Sequence, residues 1–206
     1  MATVDVLIPV YNTPPQYFDE CIQSILVQTL QDFRIVIYDD GSDIPAKVPD
    51  DPRIVLVRNA TNNGVAYARN RLFDLVKSPY ACFQDADDIS LPTRLEVQLA
   101  SLAQVDMTRC FYALISANGE RLPAERKHPA FASSFFVKDI TRFRFVQHPK
   151  TLGEARLWFR QLDRAGIRRT VVRQTLYLYR MHEGNESWRK LSEHPSVRAG
   201  KSELTG

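Results

Sequence analysis

Apolar positions come in two rhythms along the first hundred residues. "VDVLIPVY" (residues 4–11) is a near-continuous apolar run of the kind a strand buried on both faces requires. "PPQYFDECIQSILVQT" then brings Phe18, Cys21, Ile22, Ile25 and Leu26 onto one helical stripe, and Pro14 and Pro15 are tolerated at a helix's opening turn. The alternation continues with strands at "FRIVIYDDGSD", "RIVLVRN" and "YACFQ". Helices are expected at "NNGVAYARNRLFDLVK", with Asn62 or Asn63 available as cap, and at "LPTRLEVQLASLAQ", entered through Pro92.

Strands alternating with helices of this length imply right-handed crossovers and a largely parallel sheet. After Met107 the rhythm weakens. "RCFYALIS", a turn at "ANGE" and "FASSFFVK" suggest two further strands, read as a small antiparallel addition. "LGEARLWFRQLDRAG" reads as a last helix closing at Gly166, followed by short strands at "RTVV" and "TLYLYR". The tail, residues 191–206, has few apolar positions and is expected to fray or to lead toward a further region. The expected fold class is therefore α/β: a single Rossmann-like domain over residues 1–190, with a nucleotide-binding half (1–105) and a catalytic and acceptor half (106–190).

Composition changes this picture little. Hydrophobic residues make up 44% of the 206 and charged residues 25%, which is ordinary for a globule that leaves membranes alone. The opening "MATVDVLIPVYN" lacks the order of a signal peptide, and no apolar run approaches the roughly 20 residues of a membrane span. Cys21, Cys82 and Cys110 lie far apart inside apolar segments, as reduced core thiols do. A cytoplasmic location, at most peripheral to a membrane, is expected.

Charge is more informative. Residues 1–137 hold 12 Lys and Arg against 17 Asp and Glu, whereas residues 138–206 hold 15 against 7. The acidic half suits a cation and the basic half suits phosphates, although arginines such as Arg164, Arg168 and Arg169 read equally well as solvated surface. Nucleic acid is not expected, because the basic residues are dilute and lack interleaved aromatics.

Candidate chemistry gathers where ligands bind an open parallel sheet, beyond the carboxyl ends of its strands. Tyr11 and Asn12 follow the first strand, Asp39 and Asp40 the second, and Asp85 and Asp87 the fourth. The last pair belongs to "DADD", whose three crowded carboxylates repel one another unless a cation or a dense hydrogen-bond network intervenes. Neither glycine-rich phosphate-binding loop is present. A diphosphate is then best neutralised by a divalent ion on oxygen ligands, which favours magnesium or manganese.

Five blocks, "PVYN", "SILVQTLQDFRIVIYDDGSD", "NNGVAYARN", "DADD" and "YRMHEGNES", together resemble the successive motifs of inverting family-2 glycosyltransferases of the GT-A fold, over residues 3–188. The resemblance implies a nucleotide-diphospho-sugar donor, usually with uridine, a divalent metal, and a hydroxyl acceptor on a growing glycan. It places Pro9, Val10, Tyr11 and Asn12 beside the base and ribose, and Asp40 against the uracil imide. Arg69 falls near the base or phosphates, Asp85 with Ala86 at the ribose or sugar hydroxyls, and Asp87 on the metal. His182 would complete the metal or diphosphate site. The family's Glu-Asp pair is missing, but Gly153-Glu154-Ala155-Arg156 aligns with members that spell this block Gly-Asp-Ala-Arg, which makes Glu154 the expected catalytic base.

Glu154 has a competing role, because "TLGE" also spells a capping box with Thr151 as N-cap. Trp158 and Trp188 are candidates to stack on an acceptor sugar, with core packing as the alternative for Trp158. His128 and His148 have no partner at a meaningful spacing. Three other functions fit less well. A haloacid-dehalogenase-type phosphatase carries its Asp-x-Asp on the first strand, and a sugar nucleotidyltransferase needs N-terminal glycines that "PVYNTPP" lacks. A domain that binds a nucleotide-sugar without transferring it differs only at Glu154.

Overall fold

The computed structural model describes residues 2–126, 129–147 and 153–184. Its first half is the expected alternation. Strands β1 (Val4–Val10), β2 (Phe33–Asp39), β3 (Ile54–Arg58) and β4 (Tyr80–Phe83) are parallel, in the order β3-β2-β1-β4. Helix α1 (Pro15–Leu26) joins β1 to β2, and α2 (Val65–Asp74) joins β3 to β4. Between β2 and β3 the chain crosses without a helix. Helix α3 (Arg94–Ala100) starts two residues after Pro92, with Thr93 at its N-cap, and runs on as a 3-10 turn, Ser101–Gln104.

Past β4 the sheet continues through β8 (Phe135–Val137), antiparallel to both β4 and β6 (Met107–Ile115). Strand β9 (Arg169–Arg180) then runs parallel to β6, and β5 (Ile89–Ser90) closes the order antiparallel to β9. Helix α4 (Glu154–Arg164) packs on one face and ends at Gly166, whose φ of +68° is the left-handed conformation that glycine adopts freely.

Several details differ from the sequence reading, among them the two-residue strand β5, which was not expected. "RTVV" and "TLYLYR" are one twelve-residue strand with a register shift opposite Cys110 to Tyr112. A strand β7 (Arg121–Arg126), containing Pro123, pairs with β6 and was not expected. Neither Asn62 nor Asn63 caps α2: Gly64 is the N-cap, with the Asn62 side chain accepting from its N–H at 2.7 Å.

Two larger cores lie on opposite faces of the sheet, beside a smaller cluster of Cys110, Ala132, Leu176 and Tyr177. Val4, Val6, Ile8 and Val10 of β1 pack with Phe18, Cys21, Ile22 and Ile25 of α1 on one face. Leu7 and Val36 meet Leu72 and Phe73 of α2 and Trp158 and Leu162 of α4 on the other. All three cysteines are free and buried. No helix among the described residues is long and apolar enough to cross a membrane.

Candidate active site

The loop after β4 divides the acidic cluster in two. Gln84, fully buried, donates to the carbonyls of Asp85 and Asp88 at 3.1 and 2.9 Å and so clamps the turn between them. Asp85 and Asp87 keep side-chain exposures of 30% and 24% at the cleft. Asp88 turns inward: it is fully buried, its Oδ1 accepts from the Arg180 N–H at 2.8 Å, and its Oδ2 has no partner among the described residues. Burial, then the charges of Asp87 and Asp85, push the Asp88 carboxyl well above the usual carboxylate range. Burial also drives the Asp85 carboxyl up to about 6, against the pull of Arg69.

Positive charge is supplied from beneath. Arg94, fully buried, donates to the side chains of Gln98, Gln84 and Ser90 and to the carbonyls of Phe83 and Ala132, with no carboxylate among these partners. Its guanidinium lies 4.8 Å over the ring of Tyr177, whose hydroxyl accepts from the Asp85 N–H at 3.1 Å. Arg180 donates to the Asp87 carbonyl at 2.9 Å, pairs with Glu20 and covers Tyr17. Arg94, Tyr177 and Arg180 were all missed as supports of the acidic loop. Arg180 stands in "YRMHEGNES" and could have been found there.

Two of the predicted residues meet across the cleft from positions 95 apart. His182 Nε2 lies 2.8 Å from Asp87 Oδ2. The Gly184 N–H donates to Nδ1 at 3.2 Å, which leaves Nε2 as the donor to Asp87, and the Tyr17 ring lies 5.0 Å from the imidazole. These residues, with Tyr11, Asn12 and Ala117, line a recess of about 440 Å³. No cluster of three or more metal-ligating side chains is present among the described residues.

Arg69 gathers a second group. It is 6% exposed, pairs with Glu154 at 2.5 Å and reaches Asp85 at 3.8 Å. Phe131, Phe145 and Phe83 surround the guanidinium, with ring centroids 4.5, 5.5 and 5.9 Å away. Its Nε has no hydrogen-bond partner among the described residues. Glu154 is the first residue of α4, after Gly153 at the N-cap, and its carboxylate goes to Arg69. A capping box needs the glutamate at the third helical position, so that competing role is excluded by the helix start; Thr151 itself lies outside the described residues.

The strand ends beside this group are braced by one another. The side chain of Asn12, at φ 50°, accepts from the Asp43 N–H at 2.9 Å and donates to the Asp43 carboxylate at 3.0 Å, and the Asn12 N–H donates to the Ser42 hydroxyl at 3.0 Å. Val10 is buried and its carbonyl accepts from the Asp40 N–H, while Tyr11 is 47% exposed. Pro9 lies in β1 opposite Tyr38, and Ala86 is buried in the floor. The next glycine has no substitute: Gly41, at φ +78°, would place a Cβ 2.6 Å from the Thr61 carbonyl carbon. Asp40 is 2% exposed and its Oδ2 accepts from the N–H groups of Asn63 and Gly64, fixing the entry to α2; its Oδ1 has one long contact, 3.4 Å to Asn59.

Trp158 is not an acceptor platform. It is fully buried, stacks on Phe145 at 5.0 Å and donates from Nε1 to the Phe143 carbonyl at 2.7 Å, because the apolar stripe of α4 faces the sheet. Trp188, His128, His148 and the tail lie outside the described residues.

Residues 5–175 match the family model for glycosyl transferase family 2. Among curated relatives, an uncharacterized glycosyltransferase of Methanocaldococcus jannaschii is 31% identical over 67% of this chain and 52% of its own length. The succinoglycan biosynthesis protein ExoW of Rhizobium meliloti is 32% identical over 56% of this chain and 39% of its own. The chain thus spans about half or less of the length of these relatives. Staphylococcus aureus TarS 1–349, solved in complex with UDP-GlcNAc, superposes on 90% of this chain and 60% of its own with a TM-score of 0.68 at 17% identity, a likeness of fold.

Proposed function

The chain belongs to glycosyl transferase family 2, and on that premise we propose that it moves a hexosyl unit from a UDP-sugar to a hydroxyl of a growing glycan, by inverting direct displacement, with manganese or magnesium bound. The observation that carries this reading is the Arg69 bridge. One buried guanidinium ties Glu154, at the start of α4, to Asp85 at the end of β4, so a base and the donor motif share one cleft.

In this reading Glu154 takes the proton from the acceptor hydroxyl as its oxygen attacks the anomeric carbon, and Arg69 keeps the carboxylate aimed. Asp85 accepts from the donor's hydroxyls, and the backbone from Pro9 to Asn12 flanks the nucleoside. Asp87 and His182 would be the residues to hold a divalent ion, which would take the place of the proton now shared between Nε2 and Oδ2. Such an ion, once bound, neutralises charge on the leaving diphosphate. That TarS has been solved with UDP-GlcNAc supports a uridine donor.

The test is thermal shift with UDP. A rise in melting temperature that needs manganese and vanishes on chelation is expected, and no response to UDP with or without metal would overturn the donor assignment. A second reading, binding without transfer, draws on the same ion pair, since a carboxylate committed to Arg69 is not free to take a proton. UDP binding by a wild-type chain that turns over no donor separates the two.

A further inference from the structure

Away from the cleft, the outer face of α4 carries Arg156, Arg160 and Arg164, four residues apart and all exposed. Both acidic residues of the helix are already taken, Glu154 by Arg69 and Asp163 by Arg169, and none of the three arginines has an ion-pair partner among the described residues. Like charges four apart oppose a helix, so nothing within α4 accounts for this ladder. At about 1.5 Å rise per residue its rungs stand roughly 6 Å apart, and the first, Arg156, lies two residues past Glu154 but about 200° round the helix, on the side turned from the Glu154 carboxylate. Near the far end, Arg109 and Arg169 lie 4.8 and 5.3 Å from the Phe159 ring and line a recess of about 370 Å³ with Thr170.

We propose that this face holds the acceptor: a linear glycan with a negative charge on each repeat, laid along α4 with its reacting end at Glu154. The position of the reacting end rests on the transferase reading. Arginine forks pair with repeated carboxylates or phosphates, and a line of charge along the outer side of α4 suits a chain whose end passes over the helix's first turn to reach the base. A membrane surface suits it less, because an interfacial helix presents apolar side chains beside its cations. Here Trp158 and Leu162 of α4 are sealed in the core, Leu157 and Phe159 are half-buried, and the exposed large hydrophobic residues among those described all lie on other elements.

The experiment uses the full chain and labelled oligogalacturonate, with a neutral maltooligosaccharide of equal length for comparison. The acidic oligomer is expected to bind, and its affinity to fall about tenfold or more as salt rises from about 50 to about 200 mM. Arg160→Glu/Arg164→Glu should weaken it by about tenfold or more, whereas Lys77→Glu/Lys138→Glu, an equal charge reversal at exposed sites elsewhere, should change it by less than about threefold. The UDP response should survive in both variants. Equal affinity for the neutral oligomer, equal losses in the two variants, or Arg160- and Arg164-dependent binding to anionic vesicles with none to the oligomer would each overturn the proposal. Acidic-oligomer binding that depends on the ladder in a chain with no UDP response would leave this inference standing and remove the donor reading instead.

Discussion

Asp5 and Asp85 lie at opposite ends of one pair of neighbouring strands, and the chain treats the two carboxylates in opposite ways. Asp5, on β1 opposite Ala81 of β4, is fully buried and accepts from both Nε and Nη2 of Arg34, from the Ser78 hydroxyl and N–H, and from the Lys77 N–H. Burial opposes its charge, yet Arg34 and Ser78 hold the carboxyl below its usual range. Asp85, just past the other end of β4, has Arg69 no nearer than 3.8 Å, and its neighbour Asp88 keeps one oxygen without a partner among the described residues. A carboxylate saturated with donors fastens the chain, whereas a group of carboxylates short of donors at the ligand edge leaves charge for a ligand to complete.

The comparison can be broken most sharply at the ligand edge. Glu154→Gln should lower transfer roughly 10²–10⁴-fold while the UDP response is kept, with some loss of melting temperature because buried Arg69 gives up a charged partner; near-normal turnover would return Glu154 to a structural role. At the other end, Asp5→Asn should cost about 2–3 kcal/mol in urea unfolding, because it weakens a buried network and leaves Arg34 short of its partner. The same group sets a pH window. Its folded pKa lies below the unfolded value of about 3.9, so its stabilisation is complete above about pH 4 and is lost as pH falls through the folded value. Urea midpoints measured down through that range should fall more steeply for wild type than for Asp5→Asn. The smallest effect is expected at Asp88→Asn, within about 1 kcal/mol of wild type, since an amide oxygen still accepts from Arg180 and burial already disfavours charge on the carboxyl it replaces. A loss as large as that at Asp5 would mean the two ends are built alike.

The first half of the fold was legible because its strands are buried on both faces and its helices carry clean apolar stripes. Strand β7 was not, since Pro123 and its charged neighbours argue against a strand, although an edge position tolerates them. The long β9 read as two pieces because Arg173 and Gln174, both exposed, interrupt its apolar pattern where the register slips. In the site, Asp85 and Asp87 could be placed from strand ends alone. The meeting of Asp87 with His182 joins residues 95 apart, which spacing cannot reveal and only the motif resemblance suggested. Trp158 stayed ambiguous because a helix that is apolar on one side does not declare what lies opposite.

Strand β8 sets a rule for recombination. In strand pairing among the described residues, the three positions from Phe135 to Val137 are the seam between the sheet's first four strands and β6. A chimera that grafts a relative's acceptor half at residue 105 would import this seam together with the new half and demand that it fit foreign side chains on β4. A breakpoint after Val137 keeps that seam native but sets β6 against a foreign β9 over nine paired positions, so the junction at residue 105 should give hybrids that fold more often.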